Sequence, residues 1–131
     1  MAEKKQIEDI KDIQLLVDSF YSAIRENDLL GPIFNDILQN RWPQHLEKMY
    51  RFWQTVLLEE HTYNGSPFPP HASLPVDKLH FDTWLQIWHH TIDQYFEGTI
   101  AEEAKWRGEK MAAMFLSKIQ YYQTNSATPL V

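Results

Sequence analysis

The sequence predicts a single all-α domain, and two observations support that prediction. Apolar residues recur every three or four positions over four long segments, which is the spacing of helices with one buried face. No segment has an apolar–polar alternation long enough to predict a strand. The 131 residues fit one domain, with a core over about residues 7–123 and a flexible tail at 124–131.

The first half of the chain predicts two long helices and a shorter one between them. An apolar stripe over residues 7–24 predicts the first helix, which ends before the break at residues 31–32, a Gly-Pro pair. Residues 33–38 predict a short helical turn. The next helix should cover residues 43–59, because Pro43 suits a first helical position, where its missing N–H is not needed.

The second half predicts a loop followed by two long helices. Residues 61–76 contain four prolines, so this segment should be a loop. The third long helix should cover residues 77–97 and end at Gly98. Thr99 and Glu102 have the spacing of a capping box, which predicts the start of the last helix.

The composition excludes several classes of function. With no cysteine, the chain can form neither disulfides nor thiolate metal sites. A formal charge of −6 argues against nucleic acid as a partner, since phosphate binding needs a basic face. The chain has no signal-peptide pattern and no apolar run of membrane-spanning length, so we expect a cytoplasmic protein without membrane contact.

Aromatic residues make up 14% of the chain, with five Trp, and this excess favours either a bulky core or a flat apolar ligand. His71 follows two prolines, which would hold its imidazole rigidly enough for an iron ligand. His45 lies at one end of an apolar helix face formed by Met49, Phe52 and Trp53. One histidine to bind iron and another to face its ligand is what a haem protein requires. Taken alone, each histidine fits a solvated position better, in a loop for His71 and in the first turn of a helix for His45.

Three other aromatic residues are candidates for the same pocket. Tyr21 lies in the first apolar stripe, and a buried phenol needs a partner, such as a polarised dioxygen on ferrous iron. Phe34 could stack on a flat macrocycle, and Trp84 could face it from the third long helix. For each of them the alternative is an ordinary core position. Motifs for zinc proteases, nucleotide-binding loops and serine hydrolases are absent from the sequence.

The order and spacing of these residues resemble those of the truncated haemoglobins, and of their group III most closely. The resemblance extends from about Ile13 to Tyr122. Adjacent glycines, which mark the other truncated groups, do not occur. The matching strings are Phe20-Tyr21, Gly31-Pro32-Ile33-Phe34, His45 before Phe52-Trp53, Tyr63-Asn64-Gly65-Ser66-Pro67, His71 with Leu74-Pro75, and His80-Phe81-Asp82-Thr83-Trp84-Leu85.

The resemblance implies a globin-like fold, shortened to a two-over-two helical sandwich, that binds haem b (iron protoporphyrin IX). It implies that His71 is the metal ligand, and that Tyr21, His45 and Trp84 face the bound ligand on the distal side. Candidate haem contacts are Phe34, Met49, Phe52, Trp53 and Trp84, with Lys48 and Arg51 as cations for the propionates.

The implied function is reversible binding of dioxygen and other diatomic ligands at a five-coordinate haem iron. Nitric-oxide dioxygenation or peroxide chemistry would extend it and would need an electron donor that the sequence does not identify. The alternative is a cofactor-free helical module that binds another protein. A visible absorption spectrum distinguishes the two, because only the first should show a strong Soret band.

Overall fold

The computed structural model describes residues 4–63, 65 and 75–124, without the side chains of residues 122 and 124. The predicted all-α fold is confirmed. In the described ranges the helices are α1 (Ile10–Glu26), α2 (Gly31–Leu38), α3 (Trp42–Leu58), α4 (Lys78–Tyr95) and α5 (Thr99–Thr124), with a short 3-10 turn at Gln39–Arg41. The expected tail lies outside these residues, except for Thr124, which ends α5.

The first helix begins later than its apolar stripe predicts. Asp9 caps α1, and the helix starts at Ile10. Ile7 is only 2% exposed, but it lies in a non-helical segment that pairs with the end of α4 through a hydrogen bond from the Glu97 amide to the Lys5 carbonyl. Because Ile7 is buried, the apolar pattern extends beyond the helix on its N-terminal side. Periodicity alone therefore predicts too early a start for α1.

The last two helices begin at different signals. Asp77 and His80 form a capping box at the start of α4, a D-x-x-H variant that the sequence prediction did not identify. Helix α5 begins at Thr99 itself, one residue earlier than a capping box led by Thr99 would place it. Gly98 precedes it with φ +101°, a conformation that strains any side chain and favours glycine.

The packing of α4 against α1, α3 and α5 centres on Trp88. Its side chain is fully buried, stacks on Trp53 at 4.6 Å between ring centroids, and donates from Nε1 to the Ala104 carbonyl at 2.9 Å. A Cβ on Gly108 would lie 2.7 Å from the Trp88 ring, so glycine permits α5 to approach α4 this closely.

Buried apolar side chains form two clusters. The first cluster is the large one that α1, α3 and α4 build around Phe20, Trp53 and Trp88. The second cluster contains Val76, Phe115 and Ile119, with Phe81 and Met111 among the half-buried residues packed against it. No helix in the described part of the chain is long and apolar enough to cross a membrane.

Candidate functional site

A cavity lies between the two clusters. Its empty space is about 810 Å³, a figure that includes the opening to solvent. Phe52 and Trp53 of the first cluster line one part of it, and Val76 and Phe115 of the second cluster line another. The cavity is therefore bounded by both hydrophobic clusters and can receive a ligand that is itself largely apolar.

Tyr21 and His45 supply polar atoms to the cavity wall formed by the first cluster. Tyr21 on α1 is 7% exposed, and its ring centroid lies 4.9 Å from that of His45 on α3. Burial raises the pKa of the Tyr21 phenol well above its ordinary value. The hydroxyl therefore stays protonated and remains a hydrogen-bond donor at neutral pH.

His45 is half-buried and its Nε2 atom is fully buried. Its ring meets Trp42 edge-on at 5.8 Å, and the Trp42 Nε1 donates to the Asn35 side chain at 3.1 Å. The imidazole is therefore held between two aromatic rings, those of Tyr21 and Trp42.

Aromatic contacts also fix Trp84 and Phe34 at the cavity. Trp84 stacks on Trp88 at 5.9 Å and meets Phe20 edge-on at 5.3 Å. Phe34 lies 6.0 Å from the ring centroid of Tyr21. The structure thus brings seven predicted site residues to one cavity, and they are Tyr21, Phe34, His45, Met49, Phe52, Trp53 and Trp84.

Three predicted site residues are not among those that line this cavity in the described structure. His71, the predicted metal ligand, lies outside the described residues. Lys48 and Arg51 are exposed on α3, and Arg51 pairs with Glu47 at 2.8 Å. Their predicted contact with propionates remains a prediction.

The structure adds cavity residues that the sequence prediction had not placed there. Met111 and Phe115 lie one helical turn apart on α5, a spacing that predicted a buried face but not which space it borders. His80 also lines the cavity, and its Nδ1 lies 2.9 Å from Oδ1 of Asp77. That hydrogen bond holds the pKa of Asp77 below its ordinary value.

No group of three or more His, Asp or Glu side chains in the described residues could hold a bare metal ion. A haem iron needs only a single axial histidine from the protein, because the porphyrin supplies its other ligands.

The helices and their two-cluster core define a protein of the all-α, globin-like class. No family model matches the chain. Over 116 residues it is 28% identical to "Group 3 truncated hemoglobin ctb" of Campylobacter jejuni subsp. jejuni serotype O:2, covering 86% of this chain and 91% of that protein. The crystal structure of group III truncated hemoglobin from Campylobacter jejuni matches with a TM-score of 0.82 at 27% identity, covering 89% of this chain and 95% of the other.

Both comparisons agree with the resemblance that the motifs predicted. The chain is similar to group III truncated haemoglobins in sequence and in fold, over most of its length. The predicted globin-like fold is thereby confirmed.

Proposed function

We propose that the protein binds haem b in the cavity between the two clusters and uses it to bind dioxygen and other diatomic ligands. One observation carries the proposal most directly. The ring centroids of Tyr21 and His45 lie 4.9 Å apart at the wall of a cavity that both apolar clusters border. The two residues come from different helices, and both were predicted to lie on the distal side. The similarity to proteins named truncated hemoglobins supports the same function.

The residues present fit a haem. A porphyrin is flat and largely apolar, and Phe34, Phe52, Trp53 and Trp84 give this cavity aromatic walls. Dioxygen bound to ferrous haem iron carries partial negative charge and can accept a hydrogen bond, which the buried, protonated Tyr21 phenol can donate. Haem supplies the iron that coordinates the diatomic ligand.

The position of His71 in the chain supports its proposed role as the axial ligand. Position 71 precedes Pro75 by four residues, and four residues span at most about 14 Å. Val76, the next residue, is buried in the second cluster at the cavity. The chain length between position 71 and Val76 is therefore compatible with the proposed axial role of His71.

Tyr21 and Trp84 act in this proposal as donors to a bound dioxygen. Each neutral hydrogen bond contributes about 0.5–1.5 kcal/mol, so together they slow ligand release. Slow release favours oxidation of a second substrate, such as nitric oxide, by the bound dioxygen over delivery of dioxygen. Such turnover requires an electron donor to return the iron to its ferrous state.

Replacing His71 by Gly tests the proposed axial ligand. We expect His71→Gly to abolish or severely weaken haem retention, and added imidazole to restore an iron–imidazole spectrum by occupying the space. The matched control is His61→Gly, which removes an exposed histidine after α3 and should leave haem binding unchanged. Unchanged retention in His71→Gly would contradict the assignment and move it to another imidazole, with His80 the first to test.

A further inference from the structure

Helix α5 presents two chemically different faces. Successive residues of a helix are rotated by about 100°, so Trp106, Lys110 and Met114 share one side, opposite to Phe115 and Ile119. Trp106 is 50% exposed and Met114 is 44% exposed, whereas Phe115 and Ile119 are buried. We call the exposed side, formed by Trp106, Arg107, Lys110 and Met114, the outer face of α5.

Two cations surround the exposed indole of the outer face. The Arg107 guanidinium lies 5.4 Å from the centroid of the Trp106 ring, and the Lys110 ammonium lies 5.7 Å from it. Nearby Lys105 is neutralised by ion pairs with Asp93 and Glu102. An apolar ring flanked by Arg and Lys therefore faces solvent. Exposed Trp and Arg of this kind are the residue types most enriched at binding hot spots.

The charge of this helix opposes that of the molecule. Helix α5 contains four basic residues and three acidic residues, a net charge of +1, in a chain whose net charge is −6. The rest of the chain therefore carries −7. A partner with an acidic surface is attracted to this face and repelled elsewhere, which selects both the partner and its orientation.

The inner side of the same helix borders the proposed haem cavity. Met111, Ala112 and Phe115 line that cavity. An α-helix with its side chains is about 10–12 Å across, so a protein bound to the outer face lies one helix diameter from the cavity. A redox centre near the surface of that partner would then be close to the haem.

From this geometry we propose that the outer face of α5 binds an acidic one-electron carrier protein that reduces the haem iron. The proposal rests on the proposed haem function. One electron passes from the reduced carrier to ferric iron, giving ferrous iron and the oxidised carrier, with no bond made or broken. A second copy of this chain is a poorer occupant, because a symmetric contact through this face would bring like charges together.

Isothermal titration calorimetry of the haem-loaded protein with oxidised plant-type ferredoxin, an acidic one-electron carrier, tests the docking. We expect binding that weakens as salt rises, and about tenfold weaker binding in Arg107→Glu/Lys110→Glu. The matched control is Lys4→Glu/Lys11→Glu, which makes the same charge change at two exposed positions near the N-terminus and should retain most of the affinity.

A second pair of variants tests the aromatic part of the surface. Trp106→Ala should weaken binding by about thirtyfold if the indole is a hot spot. Leu79→Ala removes an apolar side chain that is 61% exposed on α4, and it should bind like the wild type. Stopped-flow reduction of the ferric protein by reduced ferredoxin should follow the same order.

Equal affinities for the charge-reversed and control variants, or no complex with ferredoxin, would overturn the docking proposal. So would self-association, or binding to anionic phosphatidylserine vesicles, that disappears in Arg107→Glu/Lys110→Glu while ferredoxin binding is unaffected. The Soret band of every variant separates the two proposals. A protein that takes up no haem contradicts the proposed function, whereas normal haem uptake with unaffected ferredoxin binding contradicts only the docking surface.

Discussion

The two apolar clusters differ in size and in what they can do alone. The first cluster unites α1, α3 and α4, and its side chains at Phe20, Ile92 and Trp88 are at most 1% exposed. The second cluster has three buried members in the described part of the chain, Val76, Phe115 and Ile119. Both clusters line the cavity. We expect the larger first cluster to stabilise the fold without a ligand, and the smaller second cluster to depend more on a bound ligand.

This difference assigns separate roles to the two sides of the cavity. The first cluster supplies the rigid wall that holds Tyr21 and Trp84 in place through ring contacts. The second cluster adjoins Pro75, where the described chain resumes after the segment that contains His71. We expect the first side to be largely preformed and the second to depend on haem.

The largest expected effect comes from truncating the first cluster. Trp88→Ala should lower the free energy of unfolding by about 3–5 kcal/mol with or without haem, because it leaves a large internal cavity. Phe115→Ala should cost clearly less in the haem-free protein than in the haem-loaded one, since Phe115 already borders open space. Urea denaturation of both forms measures this, and a Phe115→Ala cost that is the same in both would remove the distinction between the clusters.

A smaller effect is expected where α5 meets the first cluster. In Gly108→Ala the new methyl would overlap the Trp88 ring, at an overpacking cost of about 1–3 kcal/mol. The gain in helix propensity offsets about 1 kcal/mol of that cost, so a net loss of about 1 kcal/mol should remain. Ser117→Ala on the exposed side of α5 is the control and should change stability by less than about 0.5 kcal/mol. Stabilisation by Gly108→Ala would show that α5 can move away from α4.

Tyr21 tests the rigid wall through ligand kinetics. Tyr21→Phe removes a donor worth about 0.5–1.5 kcal/mol, so dioxygen should dissociate about 2- to 12-fold faster from the haem-loaded protein. Tyr50→Phe, which removes a hydroxyl outside the cavity that donates to Asp18, should leave the rate unchanged. Flash photolysis or stopped-flow mixing measures both rates, and an unaltered rate in Tyr21→Phe would show that the phenol does not contact the ligand.

The smallest expected effect concerns how the free energy of unfolding depends on pH, through Asp12, a buried residue of α1. Burial by itself raises the pKa of Asp12, but hydrogen bonds from Lys5 Nζ, at 2.9 and 3.0 Å, and from the Glu8 amide outweigh it. The net pKa lies below its ordinary value. The contribution of Asp12 is therefore present above the unfolded pKa of about 3.9 and is lost as the pH falls through the lower folded value.

Asp12→Asn should accordingly flatten the loss of stability below about pH 4, where the unfolded carboxyl takes up a proton. Asp36→Asn changes an exposed position on α2 and should lose stability at acidic pH in the same way as the wild type. Thermal unfolding measured from neutral to acidic pH makes the comparison. If Asp12→Asn and the wild type lost stability equally at acidic pH, the contact with Lys5 would not contribute to stability as proposed.

The sequence predicted the helices well because their signals are local. Pro43 and the three-to-four spacing of apolar residues each act within a few positions of the chain. Gly98 was predicted to end the third long helix, but α4 ends at Tyr95, and Gly98 directly precedes α5. The first boundary was missed because Ile7 is buried by a pairing between the N-terminal segment and the end of α4, a contact between residues distant in sequence.

The candidate site was predicted only in part, because some of its residues stand in recognisable motifs and others are brought to it only by packing. Tyr21, His45 and Trp84 stand in motifs whose order can be compared with a family, and the structure brings them to one cavity. Met111 and Phe115 on α5 have no motif, and only the packing of α5 on α4 shows which space they border. The sequence did not place His80 at the cavity. In the structure its imidazole both lines the cavity and completes the capping box of α4.

Titration of the purified protein with haemin, followed by absorption and tryptophan fluorescence together, tests the central claim most directly. We predict saturation at one haem per chain, with a Soret band at about 410 nm as is typical of haem. Fluorescence should fall in parallel, because Trp53 and Trp84 line the proposed cavity. A protein that stays colourless, or one that gains a Soret band without loss of tryptophan emission, would contradict haem binding between the two clusters.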